Sequence, residues 1–472
     1  MIARLHFVLG FTIFAALPSA PASAQSMSAD EVRRQEREIL KQLIEINTSD
    51  SAGNTPVAAR AMADRLLAAG FPAADVHVLG HEPRYQNLVA RYRGTGGTGK
   101  KPILLMAHLD VVDARREDWT TDPYSFVEKD GFFYGRGTND NKAGAAMLVA
   151  NFIRLKREGF TPARDLIIVL SSDEETDGLT IQWLLKEHRD LIDAEFALNT
   201  DAGGGSYENG KPAAFAVQAS EKVYLSFTLE VRNKGGHSSI PVRDNAIYHL
   251  SRGLARLAAF DFPVRLNEVS RAAFLQGAAT VPAALGRDMR AVVRTGDPAA
   301  VRRVAAADPY FNSVMRTTCV ATRLFAGHAD NALPQLARAT VNCRMLPDDP
   351  PDSVQATLAR LLADTAIRIV RVREPTASPP SPLKAEIMGP VGKLAETIWP
   401  GVKIVPEMST GATDGLYVRN AGIPVYGVGA LFDNPNDVRA HGRDERIGVK
   451  EYHDAARFWY ELVKSLATGT TS

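Results

Sequence analysis

Residues 171–178, Ser171-Ser172-Asp173-Glu174-Glu175-Thr176-Asp177-Gly178, are the most informative part of this chain. They follow the apolar, β-branched run 165–170, which is typical of a buried strand. In open α/β sheets, ligand sites form outside the carboxyl ends of the strands. Four carboxylates lie within five positions here, and like charges packed so closely need either water or a cation around them. The stretch is therefore either a solvated acidic turn or part of a metal site.

The composition is that of a globular protein with more than one domain. A chain of 472 residues exceeds one ordinary hydrophobic core, and 45% hydrophobic with 23% charged residues is typical of folded proteins. Lys and Arg number 55 against 54 Asp and Glu, which leaves a net charge of +1. This balance argues against nucleic acid or an anionic membrane as a partner.

The first 24 residues are predicted to be a signal peptide. Arg4 supplies a positive charge, and the apolar run 7–17 is too short to span a bilayer. Ala22-Ser23-Ala24 fits the small-residue cleavage pattern. We expect a secreted or periplasmic protein that is cleaved after about Ala24, and an uncleaved membrane anchor is the alternative.

The pattern of strands and helices predicts two domains, one inserted in the other. Strands alternate with helices through residues 25–212, and helices and a strand return at 376–472, which predicts an α/β fold with a mostly parallel sheet between helical layers. Residues 213–375 follow the order βα…ββαβ of an α+β, ferredoxin-like domain. The proline-rich segment 375–382 is predicted to be the linker back to the first domain.

Only two cysteines are present, Cys319 and Cys343. This excludes a disulfide-rich scaffold and a cysteine-ligated zinc site. The predicted topology places the two cysteines on adjacent strands, and an oxidising compartment permits one bridge between them. Two buried thiols are the alternative, because the geometry of a bridge is demanding.

Two apparent motifs do not fit their structural context. Residues 94–99 (GTGGTG) match the dinucleotide fingerprint, but a strand follows where that fingerprint needs a helix. His81-Glu82 begins like the zinc-binding helix motif, but Pro83 would break the helix and Tyr85 stands where the second histidine belongs. We interpret both as loops.

Other potential metal ligands also lie at predicted strand ends or in turns. His108 and Asp110 follow the apolar strand 103–107 and point to the same side, so that Asp110 can orient the imidazole. Asp140 lies in a glycine-rich turn before a helix, Asp201 at a strand end and His441 in a polar loop. Taken singly, each is explained by helix capping, turn formation or an ordinary histidine. Together with the acidic stretch they offer mixed nitrogen and oxygen ligands for a divalent metal, zinc first, with cobalt or manganese as substitutes.

In the order and spacing of these motifs, the chain resembles the M20 family of metallopeptidases, which includes carboxypeptidase G2, aminoacylase-1, succinyl-diaminopimelate desuccinylase and the carnosinases. The resemblance covers nearly all of the chain after the signal peptide. It implies a zinc-exopeptidase-type catalytic domain that holds two zinc ions per subunit. Asp140 would bridge both ions, His108 and Asp201 would complete one zinc, and Glu175 and His441 would complete the other.

The same resemblance implies the catalytic groups. Glu174 would be the general base, and Asp110 the partner that orients His108. The three ligand carboxylates would balance all but one of the positive charges of two Zn²⁺ ions, and a bridging hydroxide would balance the remainder. Adjacent glutamates would then have different tasks, since Glu175 is fixed as a ligand and Glu174 stays free to take a proton.

The resemblance extends into the inserted domain, which would serve as a lid and as a dimerisation domain. His237, in the run 234–241 (KGGHSSIP), would reach the active site of the opposite subunit of a homodimer and polarise the scissile carbonyl. A loop histidine beside a helix start is the alternative. Asn331, Arg344 and Gly411 match positions that contact substrate, and Arg344 would pair with a substrate carboxylate.

The sequence departs from the family pattern at Asn141, where many relatives have a second aspartate. Asparagine keeps the size and a hydrogen bond but removes a charge, so we expect Asp140 to retain its bridging role. The unusual peptide bond that the family often has at this position does not follow from the sequence.

We expect an exported dizinc hydrolase, a metallopeptidase or amidohydrolase, that cleaves an amide bond next to a free carboxylate. A carboxypeptidase or dipeptidase is the first hypothesis, and an N-acyl-amino-acid deacylase is the second. An inactive binding module on the same fold is a third, which the joint presence of Glu174 and all five ligands disfavours. The expected partners are a small peptide or N-acyl amino acid and a second copy of the chain, without nucleic acid and without a membrane after signal cleavage.

Overall fold

The computed structural model describes residues 26–97, 99–434 and 437–468. The signal peptide predicted at residues 1–24 lies outside this part of the chain. Among the described helices, none combines the length and the apolar character that crossing a membrane requires.

The strands, numbered in chain order, are β1 Val76–Glu82, β2 Tyr85–Tyr92, β3 Ile103–His108, β4 Val127–Lys129, β5 Phe132–Tyr134, β6 Leu166–Ser171, β7 Phe196–Asn199, β8 Gly204–Glu208, β9 Lys211–Glu221, β10 Val223–Arg232, β11 Gly236–His237, β12 Thr318–Ala326, β13 Ala332–Leu333, β14 Leu336–Met345, β15 Arg368–Arg371, β16 Lys403–Ser409, β17 Val425–Gly427, β18 Phe432–Asp433 and β19 Arg446–Gly448. The α-helices are α1 Ala29–Ile44, α2 Thr55–Ala68, α3 Lys142–Arg157, α4 Leu179–Glu187, α5 Arg189–Ile192, α6 Ala246–Ala258, α7 Glu268–Gly277, α8 Ala283–Thr295, α9 Pro298–Ala307, α10 Pro309–Met315, α11 Pro351–Leu362, α12 Ala385–Ile398, α13 Gly415–Asn420 and α14 Val449–Ala467.

A ten-stranded sheet forms the centre of the larger domain. Its order is β1-β2-β6-β3-β7-β17-β9-β8-β18, with β16 paired to β9, and the central strands β6, β3, β7 and β17 are parallel. Alternate residues of β3 enter two separate cores: Ile103 and Leu105 face one helical layer, and Leu104 and Met106 face the other. This alternation is what a period of two predicts for a sheet covered on both faces. The predicted sandwiched, mostly parallel sheet is confirmed.

The inserted domain has its own sheet and its own core. Its four strands are antiparallel in the order β12-β14-β10-β15. Helices α6 and α11 cover one face, where Leu250 and Leu358 pack against Phe227 and Val341. The predicted ferredoxin-like fold is confirmed.

The boundary between the domains differs from the prediction. Strand β9 crosses residue 213, where the insertion was expected to begin, but it pairs with β16 and β8 in the large sheet. The sheet of the inserted domain starts at Val223. Helices α7–α10 also belong to the larger core, in which Phe274, Met289 and Val304 are buried. These helices are amphipathic, and the sequence alone does not show which core their apolar faces join.

The two cysteines form a disulfide bond. Cys319 on β12 lies directly opposite Cys343 on β14. The bridge joins the outer strand β12 to its neighbour, one residue before Arg344. Of the two alternatives left open by the sequence, the structure contains the bridge.

Candidate metal centre and active site

The predicted ligands meet at one edge of the large sheet. His108 ends β3 and lies opposite Ser171, the last residue of the parallel strand β6. Glu174 and Glu175 follow β6 within four residues of its end, and Asp201 follows β7 in the same way. Because the strands are parallel, their carboxyl ends open on the same side, which is where ligand sites form in such sheets.

Asp140 lies between the two histidines. Its Oδ1 is 2.9 Å from His108 Nε2, and its Oδ2 is 3.0 Å from His441 Nε2. The peptide bond between Asp140 and Asn141 is cis. A carboxylate that presents one oxygen to each of two imidazoles has the arrangement of a bridging ligand.

Three overlapping sets of donor atoms have the separation that a metal ion needs. The sets are His108 with Asp140 and Asp201; Asp140 with Glu175 and His441; and His108 with Glu174 and Glu175. Within each set the donor atoms lie within 4.8 Å of one another. The first two sets share only Asp140, and imidazole nitrogens with carboxylate oxygens are the donors that zinc accepts.

The carboxylates and imidazoles of the centre shift one another's pKa. Hydrogen bonds to Asp140 and Glu175 raise the pKa of His441 to about 10. Burial raises the pKa of Asp201 to about 6, and it raises the pKa of Glu174 well above its usual value. The hydrogen bonds to His108 and His441 lower the pKa of Asp140 instead. Protons and divalent cations compete for the lone pairs of all these groups.

Asp110 and Asn141 orient the predicted ligands. His108 Nδ1 is 3.0 Å from the main-chain oxygen of Asp110, so a proton on Nδ1 leaves the Nε2 lone pair facing Asp140. The Asp110 carboxylate is farther from this ring, at 3.6 Å, and it accepts a hydrogen bond of 2.8 Å from the Glu175 main-chain N–H. Asn141 donates to Asp201 Oδ1 over 3.2 Å. Asp110 thus positions both a histidine and the acidic loop.

Sequence reasoning missed a buried ion pair that supports the centre. Glu445 is wholly buried, and Arg136 Nη1 donates to its Oε2 over 2.6 Å. The other oxygen, Oε1, accepts from the main-chain N–H groups of Asn139 at 2.7 Å and Asp140 at 3.0 Å. Arg136 also donates to the carbonyl of Gly442, next to His441. One ion pair therefore holds two segments that carry predicted ligands.

The two aspartates that flank the glutamate pair have other contacts. Asp173 is buried and accepts hydrogen bonds from the main chain and hydroxyl of Thr180 at the start of α4. Asp177 is exposed and lies 3.2 Å from Arg373. The first caps a helix, and the second is a surface charge at the edge of the centre.

A cavity of about 270 Å³ opens beside Glu174 and Glu175. One wall comes from the larger domain and the other from the inserted domain, including Tyr224 and Arg344. The Arg344 guanidinium stacks over the Tyr224 ring at 4.8 Å, and no described carboxylate pairs with it. An arginine of this kind in a cavity wall can receive a carboxylate of a ligand.

The remaining predicted substrate contacts lie elsewhere. His237 and Asn331 are exposed and lie at the short antiparallel pairing of β11 with β13, where the Ser238 N–H donates to the Asn331 carbonyl. Neither residue is in the described wall of the cavity, and Gly411 is not either, although residues 412–414 are. Within one chain, the structure brings Arg344 to the centre and leaves His237 and Asn331 apart from it.

Comparisons with known proteins agree with this geometry. A family model described as peptidase family M20/M25/M40 matches residues 104–465. N-fatty-acyl-amino acid synthase/hydrolase PM20D1 of Homo sapiens is 29% identical over 378 residues, which cover 78% of this chain and 74% of that protein. Probable carboxypeptidase S-like 2 of Dictyostelium discoideum is 28% identical over 382 residues, which cover 77% and 72%.

Solved structures share the fold. An M20 family metallo-carboxypeptidase, Sso-CP2 from Sulfolobus solfataricus, superposes with a TM-score of 0.69 at 18% identity, and the match covers 92% of this chain and 99% of the other.

Proposed function

The chain belongs to the M20 family of metallopeptidases and is a hydrolytic enzyme, and from this premise we propose that it is a dizinc amidohydrolase that cleaves an amide bond next to a free carboxylate. The first form of the proposal is a carboxypeptidase or dipeptidase. The observation that carries it is Asp140, whose two carboxylate oxygens face two different imidazoles.

The donor set fits two divalent cations. His108 and Asp201 would hold one ion, Glu175 and His441 the other, and Asp140 would bridge them. Both histidines direct Nε2 toward Asp140, and both donor sets are compact enough for a single ion. Bound zinc would lower the pKa of a water molecule and would stabilise negative charge on the substrate carbonyl oxygen. Cobalt or manganese could occupy the same ligands.

Glu174 supplies the proton transfer in this proposal. Its carboxylate lines the cavity next to Glu175, and burial raises its pKa well above its usual value. A carboxylate with a raised pKa accepts a proton from water and passes it to the leaving amine near neutral pH. Arg344 would bind the free carboxylate of the substrate and so place the scissile bond beside Glu174.

A second candidate is the hydrolysis of N-acyl amino acids. It is favoured by the name of the human relative, an N-fatty-acyl-amino acid synthase/hydrolase, whereas the Dictyostelium relative is named as a carboxypeptidase. Both reactions release an amino acid with a free carboxylate, so Arg344 has the same task in each. The two candidates differ only in the acyl group.

The proposal includes export and a homodimer. Residues 1–24 have the pattern of a signal peptide that directs the chain to the periplasm or the exterior. His237 and Asn331 are exposed next to the pairing of β11 with β13, which suits contact with the active site of a second copy. In that complex an imidazole donor would face the carbonyl oxygen of the substrate.

The experiment is a panel of dipeptides and N-acyl amino acids assayed with purified zinc enzyme. Glu174→Gln should lower kcat by 10²–10⁴-fold while the zinc content stays that of wild type, and residual activity above about 1% would contradict the role of Glu174. Chelation should remove activity and added zinc should restore it. An enzyme indifferent to chelator would refute the metal mechanism.

A further inference from the structure

We propose that the amino acid released by this enzyme carries a second carboxylate in its side chain, and that Arg373 binds that carboxylate. The inference rests on the proposed function, in which Arg344 binds the main-chain carboxylate. It assigns the substrate class as amides of a dicarboxylic amino acid, glutamate above all.

Two guanidinium groups share one aromatic ring in the cavity wall. The Arg344 guanidinium carbon lies 4.8 Å from the centre of the Tyr224 ring, and the Arg373 guanidinium carbon lies 5.3 Å from it. The two guanidinium carbons are therefore no more than about 10 Å apart by these two distances. Arg344 and Arg373 both line the cavity next to Glu174. The cavity thus has two positions for an anion on the side of the inserted domain.

Two carboxylates of the cavity wall pair with arginines outside it. Glu374 Oε2 accepts from Arg371 Nη1 over 3.2 Å, and Glu221 Oε1 pairs with Arg419 at 3.0 Å. Arg371 also pairs with Asp352, so Glu374 shares its partner, whereas Glu221 has Arg419. Both acids thus contact arginines other than Arg344 and Arg373.

Asp414 and Asp177 complete the acids near the two arginines. Burial raises the pKa of Asp414 to about 8. Asp177 also lines the cavity, and it accepts from Nη1 of Arg373 over 3.2 Å. The remaining N–H groups of Arg373 are free to bind a ligand carboxylate.

Lys222, the third cationic residue of the cavity wall, is unable to bind the side-chain carboxylate of the substrate. Lys222 is buried, and its ammonium group donates to the carbonyls of Ser313 at 2.7 Å and Arg316 at 2.8 Å and to the hydroxyl of Thr318 at 3.3 Å. These three bonds use all the donors that a lysine has. Arg373, in contrast to Lys222, keeps N–H groups that can donate to a ligand carboxylate.

The spacing suits glutamate. The two carboxyl carbons of an extended glutamate are about 5 Å apart by standard bond lengths. A guanidinium carbon and the carboxyl carbon that it binds are themselves separated by a hydrogen bond. The two guanidinium carbons can therefore be farther apart than the two carboxyl carbons, and one ligand can contact both arginines. Glutamine has the same length and shape but lacks the charge, which makes it the matched neutral probe.

The test compares kcat/KM for Ala-Glu and Ala-Gln, and for N-acetyl-Glu and N-acetyl-Gln. We expect wild type to prefer glutamate by about tenfold, mainly through KM, because Arg373 binds a group that does not react. Arg373→Gln should reduce the ratio to about one, and Arg373→Glu should favour glutamine. The ratio should fall with added salt, because the Arg373 side chain is 57% exposed.

Arg368→Gln is the matched control, because Arg368 lies on β15, a few residues before the wall segment, and is exposed without lining the cavity. This control should retain the wild-type ratio. The inference is overturned by a wild-type glutamate-to-glutamine ratio below twofold, or by an Arg373→Gln enzyme that keeps the glutamate preference. In either case, hydrolysis of the substrates would still support the proposed function. An enzyme that hydrolyses neither dipeptides nor acetyl amino acids overturns both.

Discussion

Glu445→Gln is the substitution that most directly tests the construction of the metal centre. It keeps the size of the side chain and one oxygen that can accept from the Asn139 and Asp140 N–H groups. It replaces the other oxygen, which accepts from Arg136, with an amide N–H₂ group. The substitution would leave the charge of Arg136 without its counterion. Water could not replace that counterion, because the Arg136 side chain is only 3% exposed.

The expected magnitude follows from this burial. Breaking a buried ion pair by removing one partner costs about 3–5 kcal/mol of unfolding free energy. The same change loosens the segments around Asp140 and His441, and loss of a group that orients metal ligands typically weakens metal affinity by about 10–100-fold. Both effects should appear together, because one side chain supports the fold and the predicted ligands.

Two measurements check this prediction. Urea unfolding of the metal-free proteins gives the change in stability, and competition with a fluorescent chelator gives the change in zinc affinity. The matched control is Asp288→Asn, since Asp288 pairs with Arg303 at the surface and should change stability by less than about 1 kcal/mol. A Glu445→Gln protein with stability and zinc affinity equal to those of the control would refute the role assigned to the buried pair.

Three further predictions test other parts of the molecule. The Cys319→Ser/Cys343→Ser variant should lose about 3 kcal/mol of stability in chemical unfolding, because the bridge closes a loop with a sequence separation of 24 residues; an unchanged unfolding midpoint would contradict this. Asp110→Ala should weaken zinc binding by about 10–100-fold in the chelator competition, because Asp110 holds the Glu175 N–H, and wild-type affinity would remove it from the centre. If His237 acts on the partner subunit, mixing inactive Glu174→Gln and His237→Ala proteins should restore up to about a quarter of wild-type activity through mixed dimers, and no recovery after demonstrated subunit exchange would exclude that role.

The sequence predicted the sheet and placed the candidate ligands at one edge of it, because both inferences depend on local patterns. The strands that end at His108 and Ser171 are short apolar runs, and a polar residue at the end of such a run marks the edge of a parallel sheet. The inserted domain was predictable for the same reason, since its strands alternate and its helices are amphipathic. The predicted ligands belong to sets that the structure does bring together.

The parts that the sequence did not reveal depend on contacts between distant segments. Arg136 and Glu445 resemble solvated charges in their own loops, and only their contact across 309 positions shows that they are buried. Strand β9 contains small residues such as Ala213 and Ala214, and its place in the large sheet follows from its pairing with β16. Such pairings have no local signal, because propensity and periodicity describe one segment at a time.

The long separation between the ligand segments also governs when the centre can form. During synthesis, His108 and Asp140 leave the ribosome long before His441 and Glu445, and the whole inserted domain is made in between. A nascent chain that ends within the inserted domain therefore has four of the five predicted ligands, but it lacks His441 and also Glu445, the partner of Arg136. If the chain is exported before it folds, as the predicted signal peptide implies, it acquires its metal ions in the compartment where folding finishes. The metal pool of that compartment, and not that of the cytoplasm, would then decide which ion the enzyme carries.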